Sequence, residues 1–87
     1  MNSSCEPEFW DLLNALPPKI KSRAEKAYEL WGQDPSHPSL YFKPIPNRPH
    51  IWSARISDSY RALCVRDGET CVWFYIGKHD DYERLIS

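Results

Sequence analysis

Across the 87 residues there is no run of about 18 apolar side chains, so the sequence offers no candidate membrane helix. The first seven residues lack the basic start and apolar stretch of a secretory signal, and the expected compartment is the cytoplasm. Cysteine is limited to Cys5, Cys64 and Cys71, an odd set without C-x-x-C spacing. That indicates neither a disulfide framework nor a zinc knuckle. Excess positive charge is also missing. Eleven Lys and Arg against twelve Asp and Glu leave a formal net charge of −1, which argues against a whole-surface nucleic-acid binder. Any basic site must be local. No repeat or low-complexity tract appears. What remains is a chain that is 41% hydrophobic and 14% aromatic, enough for one small core and one domain over residues 1–87.

Phe9, Trp10, Leu12, Leu13 and Leu16 recur at helical spacing and predict a short helix from Pro7 to Leu16. Pro17-Pro18 stops it, and because proline is tolerated in a first turn, a second helix from about Pro18 to Trp31 follows in a tight hairpin. Ile20, Ala24, Ala27, Tyr28 and Trp31 line one face of that helix. Its Lys and Arg residues alternate with Glu25 and Glu29 and read as a solvated face, and Gly32 is placed to end it. Asp34-Pro35-Ser36-His37-Pro38 is a loop. Leu40 to Ile45, Ile51 to Ile56, Tyr60 to Arg66 and Thr70 to Ile76 then read as four strands of an antiparallel meander. Gly77 is expected to end the last strand, before a short terminal helix over Asp80 to Ile86. The resulting fold class is α+β, an N-terminal helical hairpin packed on a four-stranded antiparallel sheet.

Asp67-Gly68 reads as a two-residue type I′ turn, with Arg66 opposite Glu69. In that register Tyr60, Ala62, Cys64, Cys71, Trp73 and Tyr75 share one side, suited to a working surface or a second packing layer. Leu63, Val65, Val72, Phe74 and Ile76 share the other and form the expected core face. Arg61 then falls on the core side, a tension relieved only by its place near a strand start. Cys64 and Cys71 come close enough to cross-link on oxidation, although two reduced thiols serving as small hydrophobes fit as well.

Charge is unevenly spread. Lys43, Arg48, Arg55, Arg61 and Arg66 face Asp58 alone between residues 43 and 66, the one candidate basic patch. Arginines on neighbouring strands grip phosphate and aromatics stack bases, although arginine is also an ordinary choice on a sheet edge. Lys78, His79, Asp80, Asp81 and Tyr82 form a second cluster just past a strand end. Imidazoles serve as general acid or base near neutral pH, and a tyrosine three residues on lies on the same helical side. The two acids are equally accounted for by a helix start. His37 and His50 have no ligand spacing to another His or Cys, so no metal and no cofactor is expected.

Taken in order, the hairpin with Leu16-Pro17-Pro18 at its bend, Lys43-Pro44-Ile45, Trp52-Ser53-Ala54-Arg55-Ile56, Tyr60-Arg61-Ala62-Leu63 and Ile76-Gly77-Lys78-His79-Asp80-Asp81-Tyr82 resemble the RelE/ParE superfamily of type II toxin–antitoxin toxins. The resemblance covers about nine tenths of the chain. It implies a metal-independent endoribonuclease that cuts mRNA on the ribosome by 2′-hydroxyl attack and so inhibits translation. By position, Arg61 would stabilise charge on phosphate, His79 would transfer the proton and Tyr82 would stack on or position a nucleotide. Arg55 would steer RNA, with Lys78 and Lys43 adding charge. The implied partner is a cognate antitoxin. ParE-like members share the fold but poison DNA gyrase, and a non-nuclease protein that only binds antitoxin is the remaining reading.

Overall fold

The computed structural model describes residues 1–86, with the side chains of Tyr82, Leu85 and Ile86 outside the description. A strand β1 (Asn2–Cys5) leads into α1 (Pro7–Asn14) and α2 (Pro18–Gln33). A 3₁₀ turn (Pro38–Leu40) is followed by β2 (Lys43–Ile45), β3 (Arg48–Arg55), β4 (Tyr60–Asp67), β5 (Thr70–Lys78) and α3 (His79–Ile86). Each of the first two helices opens on a proline, where the missing N–H has no partner to lose. Gly32 does not end α2. The helix runs to Gln33 and stops at Asp34, extended at φ −150°, because the residue before Pro35 is pushed out of the helical region. The expected first strand is likewise shortened: Pro38 starts a helical turn capped by the His37 imidazole, Tyr41 turns left-handed at φ 45°, and pairing begins only at Lys43.

The α+β architecture expected from the sequence is present, with two differences in the sheet. It has five strands in the order β1-β5-β4-β3-β2, and it is mixed, because β1 pairs parallel to β5. Met1-Asn2-Ser3-Ser4 is too polar to read as a strand. It is held by backbone pairing and by the contact of the Ser3 hydroxyl with the Tyr28 hydroxyl on α2.

The β4–β5 hairpin is in a different register from the expected one. Asp67 pairs with Thr70, so the loop is Gly68-Glu69, and only Gly68 has positive φ (60°), the type II′ pattern. Farther along, Cys64 pairs with Trp73 but Leu63 pairs with Tyr75, leaving Phe74 as the extra residue of a bulge. Near the turn the pairing is shifted by two residues, which keeps the same alternate residues together, and the bulge exchanges only Tyr75 and Ile76. The core face is nonetheless the one assigned above to the working surface, because that is the face the helical hairpin covers. Ala54, Ala62, Cys64, Cys71, Trp73 and Ile76 are buried in one cluster with Ala24 and Trp31 of α2, and Phe9, Leu13 and Leu16 pack against it.

Aromatic rings dominate this core. Trp31 meets Trp73 edge-on, centroids 5.3 Å apart at 80°, and Phe42 lies 4.9 Å from Trp52. Among the described residues the buried indole N–H groups of Trp31 and Trp73 have no hydrogen-bond acceptor. Both rings instead take part in edge-on aromatic contacts, Trp31 with Trp73 and with Phe42.

Candidate nucleic-acid interface on the open sheet face

With the helical hairpin on one side, the opposite side of β2 to β5 carries the remaining alternate residues. Directly paired residues share a face, so Lys43, Ser53, Leu63 and Tyr75 form one row across four strands. Arg55, Arg61 and Gly77 form the next. At a strand spacing of about 4.8 Å, the first row spans roughly 15 Å and the second roughly 10 Å, the scale of two to three nucleotides. Arg61 is thereby freed from the conflict seen in the sequence. Leu63 and Val65, its companions, lie on the face away from α1 and α2, and Val65 is 44% exposed. α3 packs against β4 and β5, and Leu63 and Ile45 are buried outside the main core cluster.

Two like charges directly opposite each other repel, and the β3–β4 loop compensates both. Asp58 pairs with Arg55 and has its carboxyl held below the usual range, first by the hydrogen bond from that guanidinium and then by its charge. Arg61 donates through Nη1 to the carbonyls of Ser57, Tyr60 (2.9 Å) and Asp58 (3.4 Å). Among the described residues its Nη2 and Nε make no further hydrogen bond, so part of the guanidinium fork remains for a ligand.

His79 is fixed by the backbone. Its N–H bonds the Ser59 carbonyl at 2.7 Å, carrying the β4–β5 ladder one step past the Tyr60 to Lys78 pair and into α3. The side chain is one third exposed, with Nε2 3.5 Å from Glu83 Oε1. Asp80 and Asp81 occupy the first turn of α3, where carboxylates complement the helix dipole.

Not every predicted site residue joins this group. Lys78 pairs with Tyr60, and alternation places both on the rim of the helix-covered face. The side chain of Tyr82 lies outside the described residues. Arg66 also faces the helix side, its Cζ 4.3 Å from the Trp52 ring centroid, so the basic run between residues 43 and 66 is split between two faces. Conversely, Arg23 and Lys26 of α2, read as a solvated face, line a shallow hollow of about 340 Å³ with Arg55 and Ser39. Only the packing of α2 beside the end of β3 brings them there, and no local signal announces it.

A larger cavity of about 470 Å³ lies between the sheet and α1 and α2, lined mainly by core residues such as Phe9, Leu13, Trp31 and Trp73. Neither Arg61 nor His79 lines it, and its titratable groups, Cys5, Glu25, Tyr28 and Glu29, include no cation to hold a phosphate. Among the described residues no cluster of three or more His, Cys, Asp or Glu is arranged to hold a metal ion. No helix among them is long and apolar enough to cross a membrane.

The family description of the ParE-like toxin domain matches residues 18–84. A sequence comparison with curated proteins finds no match. Among solved structures, the chain is similar to one from the RelB–RelE antitoxin–toxin complex of Methanococcus jannaschii, at TM-score 0.75 and 17% identity over 95% of this chain and 98% of that one. The RelBE2 toxin–antitoxin complex of Mycobacterium tuberculosis gives 0.68 and 24%, covering 90% of each chain. The YoeB/ParE toxin of Agrobacterium tumefaciens gives 0.68 and 14%, covering 91% and 99%. At such identities these likenesses concern the fold.

Proposed function

The chain belongs to the family of ParE-like toxin domains, and from that premise we propose that it is a metal-independent endoribonuclease acting on mRNA at the ribosome, restrained by a cognate antitoxin. The observation that carries this reading is the row of Arg55 and Arg61 on the open face, with His79 following two residues after Gly77, the residue paired with Arg61. A ribose-phosphate laid across β3 to β5 meets cation and imidazole together.

In this reading His79 takes the proton of the 2′-hydroxyl, and the 2′-oxygen attacks the adjacent phosphorus. The bond to the 5′-oxygen breaks and that oxygen takes a proton from water, to which His79 gives up its own, leaving a 2′,3′-cyclic phosphate and a 5′-hydroxyl. Arg61 stabilises the charge that grows on the non-bridging oxygens. Arg55 and Lys43 attract the neighbouring phosphates, Lys78 adds charge at the rim, and Tyr82 stacks on a nucleotide. Solved structures similar to this chain include antitoxin–toxin complexes, which supports an antitoxin as its partner.

The test is translation in a reconstituted reaction. The wild-type protein is expected to cut mRNA, and Arg61→Ala and His79→Ala to reduce cutting by about 100-fold or more, as loss of a charge stabiliser or a proton-transfer group does. Intact mRNA and normal translation in the presence of the protein would overturn the reading.

A second reading follows from the same arginines. Asp58 and the loop carbonyls already occupy Arg55 and one nitrogen of Arg61, and the net charge is −1, so the surface is less basic than nucleic-acid binding favours. In that case the protein is a non-nuclease toxin acting on DNA gyrase, or binds antitoxin alone. Gyrase-dependent DNA damage with unimpaired translation would identify the former.

A further inference from the structure

Gly77 is the one glycine whose Cα is closely covered. A methyl group there would lie 2.8 Å from Cζ of Tyr75, and nearer still to its hydroxyl oxygen. Tyr75 and Gly77 point to the same face, so the phenol of Tyr75 runs along its own strand and puts its hydroxyl where the side chain of residue 77 would stand. The residue paired with that position across the sheet is Arg61. Directly paired Cβ positions lie about 5 Å apart, so the hydroxyl is a close neighbour of the Arg61 stem.

The other side of the phenol is α3. Asp81 acts on it electrostatically, and burial together with that carboxylate pushes the Tyr75 phenol up, so that it stays a protonated donor. The end of the Tyr75 ring thus lies over Gly77, the residue paired with Arg61 and two before His79, where α3 begins. Residue 77 has to be glycine for the ring to lie there.

We infer that Tyr75 is a substrate-contacting residue of the open-face site, its hydroxyl donating to a phosphate or ribose oxygen of RNA held by Arg61, with Gly77 providing the space. This rests on the endoribonuclease reading. It adds a phenol from β5 to the site, independent of Tyr82 on α3. A neutral donor beside a guanidinium completes a two-sided grip on a phosphate without adding charge.

The experiment compares wild type, Tyr75→Phe and Gly77→Ala in mRNA cleavage on programmed ribosomes, in binding of a 2′-deoxy-substituted RNA that cannot be cut, and in thermal unfolding. Tyr75→Phe removes one oxygen and is expected to lower cleavage by about 10- to 100-fold, the loss of one hydrogen bond to a charged group, and to weaken binding of the uncuttable RNA, with its melting temperature unchanged. Gly77→Ala, which displaces the ring, is expected to lose cleavage to a similar degree. Cleavage by Tyr75→Phe at the wild-type rate overturns the inference and leaves the nuclease reading standing. A loss matched by a fall in melting temperature, with binding unchanged, makes Tyr75 structural and also overturns it. Failure of the wild type to cut mRNA removes the nuclease reading and the inference with it.

Discussion

Arg55 and Arg61 stand directly opposite each other on β3 and β4, and the carboxylate of Asp58, from the loop joining those strands, pairs with the first of them. Removing that carboxylate leaves two facing cations. Because the folded carboxyl titrates below its usual value near 4, Asp58 contributes stability above that value and loses it as pH falls through the folded one. Asp58→Asn should therefore melt slightly below wild type at pH 7, and the gap should close as pH falls from the usual carboxylate value through the lower, folded one. Thermal unfolding followed from pH 7 into acid checks this; a gap that persists once the carboxyl is protonated places its origin elsewhere. The same substitution should tighten RNA binding at low salt, since it uncovers a guanidinium.

Ala62→Asp and Val65→Lys test which sheet face is buried. Ala62 is 4% exposed on the helix-covered face, in the cluster with Ala24, Trp31 and Ile76, so a carboxylate there loses its water and Asp should cost about 3 kcal/mol or more. Val65 faces away from the helices and should accept Lys within about 0.5 kcal/mol. Urea denaturation separates these outcomes, and reversal of the two would restore the face assignment that accompanied the register read from the sequence.

That register shows where reading the sequence stops. The helical hairpin was legible because Phe9, Leu13 and Leu16 repeat at helical spacing and Pro17-Pro18 punctuates them. Four of the five strands were legible from their aromatic and β-branched content. The placing of the turn at Gly68-Glu69 and the bulge at Phe74 were not, since Asp-Gly is compatible with either loop position and nothing local marks an extra residue. With the faces exchanged, Arg61 looked half-misplaced and Tyr75 joined the wrong set. β1 was missed because Ser3 and Ser4 are held by partners, not by propensity. Arg55, Arg61 and His79 were named from family order, and only three-dimensional pairing separates Arg66 and Lys78 from them.

Splitting the basic run between two faces gives a charge test. Arg66 sits over Trp52, 4.3 Å from its centroid, and donates from Nε to the Gly68 carbonyl at 3.1 Å. Arg66→Gln should cost about 0.5–1 kcal/mol of stability and leave RNA affinity unchanged. Lys43→Gln, in the row with Tyr75, should leave stability unchanged and weaken RNA binding, lowering the slope of log K against log salt by about one. Anisotropy titrations at several salt concentrations measure both. Equal effects on affinity would mean that RNA does not distinguish the faces.

The thiols report on the same face assignment without any RNA. Cys64 and Cys71 are fully buried, whereas Cys5 on β1 is partly exposed. Burial pushes all three thiols up, and for Cys64 it is the largest of several causes, with the neighbouring Cys71 adding to it. The thiolate is the reacting species, so loss of both access and ionisation protects the inner pair. Alkylation of the native protein at pH 8 should label Cys5 first, with Cys64 and Cys71 reacting only through unfolding and gaining label together as urea is raised. A cross-link between Cys64 and Cys71 should likewise form under oxidant only in the unfolding range, because no thiolate is presented to start the exchange in the folded protein. Peptide mass spectrometry reads each site separately. Rapid native labelling of Cys64 would mean that the surface beneath α1 and α2 opens to solvent far more readily than its packing around Trp31 and Trp73 implies.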